Sequence, residues 1–257
     1  MTLALAIFLL PGPAGSPILA TEPVPIYAGG EPAIFPQAWR RPPISIWAEP
    51  LEEALHERLR RLTQRELAGY PPAMLAANLR GVHLVGRLGY RGVLTGGTSS
   101  LRRIWVVCRA EPRYTDRAVA RTLHAEFSSI LLRNGRERFD AAAWDAANPP
   151  GFAYGKGGTA AIRAGVRSTG PRAAHFGDGF LSAYGRSSRE NDFNGYAAGL
   201  MMNESALFDA ARKHARVRAK LRLTRAFYVS FDSAWDDALP ALPEAMPDGP
   251  ATADEDG

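Results

Sequence analysis

The chain has 257 residues, 46% of them hydrophobic and 22% charged, with 25 Gly and 20 Pro. That composition fits a soluble globular protein with irregular flanks and excludes fibrous, collagenous and wholly disordered chains. Lysine and arginine number 31 against 26 acids, but five of the acids fall in residues 244–257, so the rest of the chain is more basic than the total implies. The only lysines are Lys156, Lys213 and Lys220, and the arginines are scattered, which reads as a solvated surface rather than a nucleic-acid footprint. A single cysteine, Cys108, excludes an intrachain disulfide and a cysteine-rich zinc site. Its place after Ile104, Val106 and Val107 predicts a buried, inert thiol.

Residues 2–10 are continuously apolar, too short for a membrane span of about 20 residues. They suit the apolar core of a secretory signal peptide over residues 1–20, which places the protein in the periplasm or outside the cell, with the cytoplasm as the alternative. Residues 21–43, rich in Pro and Gly, read as an extended leader. A folded domain is expected over 44–239 and a disordered acidic tail over 240–257.

Within that domain Leu51, Leu55, Leu59, Leu62 and Leu67 recur at helical spacing and predict a helix over 52–68, ended by Gly69 and Pro71. A short helix over 72–79 follows. Three strands are predicted at 82–86, 90–94 and 103–108, with 96–99 as the turn before the last. Val119, Leu123, Phe127, Ile130 and Leu131 then form one stripe of a helix over 115–133, stopped at Asn134-Gly135. Shorter helices are predicted over 139–147 and 159–164. Ser187 and Glu190 form a capping-box pair ahead of a helix reaching Met202, and further helices cover 204–221. Helices, a small mixed sheet and then helices again make an α+β domain.

The segment Thr122-Leu123-His124-Ala125-Glu126-Phe127-Ser128-Ser129-Ile130-Leu131 resembles the active-site helix of zinc metallopeptidases. There, two histidines four residues apart bind zinc and the glutamate after the first activates water, because positions i and i+4 share one helix face. The run Tyr184-Gly185-Arg186-Ser187-Ser188-Arg189-Glu190-Asn191-Asp192-Phe193 is similar to the second helix of that group, which supplies a carboxylate as third ligand. Together they resemble the bacterial zinc-binding metallopeptidases of the zincin (gluzincin) type, including the catalytic domain of anthrax lethal factor, over residues 75–227.

The resemblance implies a zincin-like fold, a zinc cofactor and a peptide or protein substrate. It puts Glu126 at the general base, Tyr184 at the oxyanion and Asp192 at the third ligand, with Asn191 as a competitor. In that register Ala125 and Ser129 stand where the two histidines belong, and neither is a good zinc ligand. Shifting His124 onto the first ligand loses the base, and His124 cannot join Glu126 because residues two apart on a helix point to nearly opposite sides.

The motif is therefore degenerate. The expected protein is an exported metallopeptidase-like chain with weak or no hydrolase activity, its strand over 103–108 retaining peptide binding by strand addition. An active enzyme using His124 or His175 with Asp192, and a basic envelope protein binding anionic surfaces through Arg212, Lys213, Arg216 and Lys220, remain as alternatives. No nucleic-acid partner is expected. Each candidate also has an ordinary reading: His124 as a core-edge histidine, Glu126 as the partner of Arg121 or Arg133, Asp192 as a first-turn carboxylate favoured by the helix dipole, and Tyr184 as a packing residue. Residues 151–157 lack the glycine spacing and the Ser or Thr after Lys156 that a phosphate loop needs, and no Gly-x-Ser-x-Gly elbow is present.

Overall fold

The computed structural model describes residues 16–166 and 168–244. The apolar run of the expected signal peptide and the tail beyond residue 244 lie outside the described residues. The chain forms two compact units, Met1–Arg136 and Glu137–Gly257. The division lies within the stretch 44–239, just after the helix that packs beside β6 and β7.

The first unit holds a mixed sheet of seven strands: β1 (Ile18–Ala20), β2 (Ile26–Ala28), β3 (Trp47–Pro50), β4 (Gly81–Tyr90), β5 (Val93–Leu94), β6 (Gly97–Ser99) and β7 (Arg103–Val107). The long strand β4 is its spine. The first half of β4 runs parallel to β2 on one side and to β7 on the other, while its second half pairs antiparallel with β3 and β5. Flanked on both sides and covered on both faces, β4 and β7 read as near-continuous apolar runs, as buried parallel strands do.

Val85, Leu88, Trp105 and Val107 pack on one face against Ile34, Phe35 and Ile46. Val82, Leu84, Ile104 and Val106 alternate to the other face and are buried. The unit also contains α1 (His56–Leu67), α2 (Pro72–Asn78) and α3 (Asp116–Asn134), with α3 beside β6 and β7. Thr115 caps α3 by accepting a hydrogen bond from the Ala118 amide at 3.2 Å, and the following Gly135 ends it. Cys108 is fully buried, as its apolar run predicts, and burial pushes its thiol up.

Three expectations change here. Residues 21–43 are not a leader detached from the core: β2 is a parallel neighbour of β4, and Ile26, Ile34 and Phe35 are buried. The prolines between them hide a few apolar residues that suffice because the sheet supplies the rest of the pairing. Ile18–Ala20, placed at the end of the signal segment, pairs antiparallel with β2. The stretch read as a turn at 96–99 is largely strand β6, so β7 is an interior strand and has no free edge to offer a peptide.

The second unit is helical: α4 (Ala141–Ala146), α5 (Gly158–Arg163), α6 (Arg189–Met201), α7 (Ser205–Lys213), α8 (Ala215–Val229) and α9 (Trp235–Ala238). Its core is aromatic. Trp144 meets Phe193 and Tyr196 edge-on at 5.7 and 5.5 Å between centroids, and Phe227 meets Phe193 at 5.1 Å. The cap of α6 is Ser188, one residue later than expected, accepting from the Asn191 amide at 3.1 Å; the Ser187 hydroxyl turns back to the Tyr184 carbonyl.

Candidate functional site

On α3 of the first unit, His124 faces inward. Its Nδ1 lies 2.7 Å from the Tyr70 hydroxyl and its Nε2 lies 3.0 Å from Glu66 Oε2. Both ring nitrogens are thereby taken, and the bond from His124 is the main reason the Glu66 carboxyl sits below its usual range. This is the core-edge role, with a carboxylate and a phenol in place of a backbone carbonyl. Two residues on, Glu126 is half-buried beside the edge strand: a Cβ added to Gly97 would lie 3.1 Å from its Cγ and 2.7 Å from Thr122 Cγ2. Gly97 is what allows α3 to lie this close to β6. The β6 edge is itself blunted, since Gly97 O accepts from Thr95 Oγ1 at 3.0 Å and Ser99 Oγ accepts from Arg133 at 2.8 Å.

In the second unit Asp192 stands in the first turn of α6, 1% exposed, and faces the interior. Its Oδ2 accepts from Lys220 Nζ at 2.6 Å, from the Tyr154 hydroxyl at 2.7 Å and from Trp144 Nε1 at 3.1 Å. Lys220, on α8, is fully buried; its ammonium also donates to Gly179 O at 3.0 Å and sits 4.0 Å from the centre of the Phe180 ring. Burial pushes the Asp192 carboxyl up and the Lys220 amine down, and each is opposed by the charge and hydrogen bond of the other. Tyr154 is raised by burial and then by the Asp192 charge beside it. The result is a buried, charge-assisted cluster in an aromatic surround, gathered on Oδ2, while Asp192 Oδ1 is buried with no hydrogen-bond partner among the described residues.

The other candidates lie apart from this cluster. Asn191, adjacent to Asp192, donates instead to Ser187 Oγ at 2.8 Å. Tyr184 is half-buried, with its hydroxyl directed at Gly158, where there is no side chain to obstruct it. His175 is half-buried on a 3₁₀ turn, Ala173–Asp178, whose Asp178 pairs with Arg186 at 2.8 Å.

A zinc ion asks for three or four N, O or S donors converging at about 2 Å. Here Asp192 Oδ2 is held by an ammonium, both ring nitrogens of His124 are hydrogen-bonded, and Ala125 and Ser129 of α3 offer no imidazole. Among the described residues no group of three or more His, Cys, Asp or Glu side chains is placed to hold a metal ion. The donors present do not fit zinc.

Lys220, Tyr154 and Trp144 escaped the sequence reading. Grouped with Arg212, Lys213 and Arg216 as a basic surface, Lys220 instead lies three residues from buried Val217 and four from buried Thr224, on the inward stripe of α8. That spacing was the signal, and in a chain with three lysines it carried weight. Comparison with known proteins gave no match to a family model, to a curated protein or to a solved structure.

Proposed function

We propose that the chain is an exported, zinc-metallopeptidase-like protein whose metal site has been lost, and that it does not hydrolyse peptides. The observation that carries this reading is the Lys220 ammonium 2.6 Å from Asp192 in a core where neither is exposed. A fixed cation occupies the carboxylate that best matches the family's third ligand, and a second cation would be repelled there. The engaged imidazole of His124 and the Ala125 and Ser129 substitutions support the same conclusion from the first unit. Weight for the family itself comes from the motif resemblance on α3 and at the start of α6, together with the placement of α3 against a small mixed sheet. Export rests on the apolar run at residues 2–10.

The test is metal analysis of full-length protein purified without added zinc and again after incubation with zinc and dialysis, with cleavage of a fluorogenic peptide mixture alongside. Substoichiometric zinc in both samples, and no cleavage that responds to a chelator or to Glu126→Gln, is the expected result. One zinc per chain that survives dialysis and disappears in His124→Ala would replace this reading with an active enzyme of unusual ligand set.

A further inference from the structure

Between Glu66 and Glu111 the chain holds six arginines, Arg80, Arg87, Arg91, Arg102, Arg103 and Arg109, and no acid or lysine. Two of these are neutralised, Arg87 by Glu49 at 3.0 Å and Arg109 by Glu111 at 3.0 Å. Three of the others gather at one end of the sheet. Arg103 is the residue opposite Gly81 in the β4–β7 ladder, and the Arg80 amide donates to the Arg102 carbonyl at 2.6 Å. All three are exposed, and among the described residues no carboxylate lies within ion-pair distance of their guanidinium groups.

In the middle of this basic end stands Leu101, 63% exposed, the most exposed large hydrophobic residue among those described. It sits on the turn between β6 and β7, and the turn is braced. Ser100 Oγ accepts from the Arg103 amide at 3.1 Å, Arg133 donates to the Ser100 carbonyl at 2.9 Å, and Asn134 Nδ2 donates to the Leu101 carbonyl at 3.3 Å. The leucine is held outward on a rigid support. A lone exposed leucine is ordinary on a protein surface; what singles out Leu101 is that it shares the turn with Arg102 and Arg103, with Arg80 bonded alongside through its backbone amide.

We propose that this turn is a docking point for an anionic lipid surface, with Leu101 entering the acyl boundary and Arg80, Arg102 and Arg103 meeting headgroup phosphates. The apolar tip decides for lipid over nucleic acid: leucine gains nothing from a phosphodiester backbone, and the turn has no aromatic ring to stack on a base. No helix of the described residues is long and apolar enough to cross a membrane, so the contact is peripheral. It is also a different surface from the α7–α8 segment suggested by composition, where Lys220 points inward. The proposal does not depend on the metallopeptidase reading.

The experiment is co-sedimentation of the full chain with vesicles of phosphatidylcholine alone and of phosphatidylcholine with a phosphatidylglycerol fraction, at low and high salt. Binding is expected only to the anionic vesicles and is expected to weaken as salt is added. Each of Arg80→Gln, Arg102→Gln and Arg103→Gln should lower partitioning about fivefold, and Leu101→Ser about tenfold, with circular dichroism unchanged. Arg212→Gln/Lys213→Gln/Arg216→Gln serves as the control on the other basic segment and should bind as the parent does. Equal binding to neutral vesicles, insensitivity to Leu101→Ser, or loss only in the control variant would overturn the proposal. So would tighter binding to a DNA duplex that ignores Leu101, which would assign the patch to nucleic acid.

Discussion

His83 shows how one residue inside a sheet couples stability to pH. It is fully buried on β4 between Tyr27 of β2, at 4.8 Å between centroids, and Trp105 of β7, at 5.5 Å, with neither ring nitrogen bonded among the described residues. Burial, aided by the positive Arg103, pushes it down to about 3. Between the ordinary histidine value and that value, the unfolded chain takes up a proton that the folded chain refuses. Stability contributed by neutral His83 is therefore present above the ordinary value and drains away as pH falls, by about 1.4 kcal/mol per pH unit. Urea denaturation between pH 7 and pH 4 should show this slope, and His83→Phe, which keeps the stack, should flatten it; an unchanged slope would refute the assignment.

The Asp192–Lys220 pair makes a second prediction of opposite sign. Lys220→Met leaves a buried carboxylate without its counter-charge and should cost about 3–5 kcal/mol at neutral pH. In that variant the Asp192 carboxyl of the folded state is raised further, so the deficit should shrink as acid protonates it. Denaturation of parent and variant at pH 4 and pH 7 gives the comparison, and a pH-independent deficit would mean that packing rather than charge is at stake.

At the scale of elements, the contact of α3 with β6 organises the first unit, and it depends on one missing methyl group. A Cβ on Gly97 would meet Thr122 Cγ2 at 2.7 Å and the Trp105 carbonyl at 3.0 Å. The carbonyl is backbone inside a ladder and cannot yield. Gly97→Ala should therefore destabilise by about 1–3 kcal/mol, in line with overpacking at a closed contact, and Trp105 fluorescence during denaturation reports it; a neutral effect would show that the helix is free to move. The extents of α1 and α3 were legible in the sequence because each carries its own stops, Gly69 and Pro71 for α1 and Thr115 and Gly135 for α3, while two adjacent serines left the start of α6 legible only to within a residue: Ser188 caps it, not Ser187. Strand β6 was not, because three residues of Gly, Thr and Ser have the composition of a turn and become a strand only when β7 is beside them.

For the whole molecule, the division into two units implies two separate centres of stability, one around β4, β7 and α3 and one around α6 and α8. Hydrogen exchange should find its slowest amides in both places, and a single slow cluster confined to one unit would contradict the division. The excess of arginine that composition alone reads as a scattered solvated surface separates in space into three fates: ion pairs such as Arg189 with Asp145, braces such as Arg133 on the β6–β7 turn, and the exposed group around Leu101.

The sequence by itself determined most of the helices, the apolar strands and the burial of Cys108, since these follow from local periodicity, caps and residue identity, though not the end of α8 beyond residue 221 or α9. Only the tertiary structure decided that residues 26–46 complete the core, that His124 is spent on Tyr70 and Glu66, and that Asp192 is matched by Lys220 from 28 positions along the chain. A periodic pattern says that a side chain points inward. Which charge meets it there depends on how distant helices pack, and that information is not local.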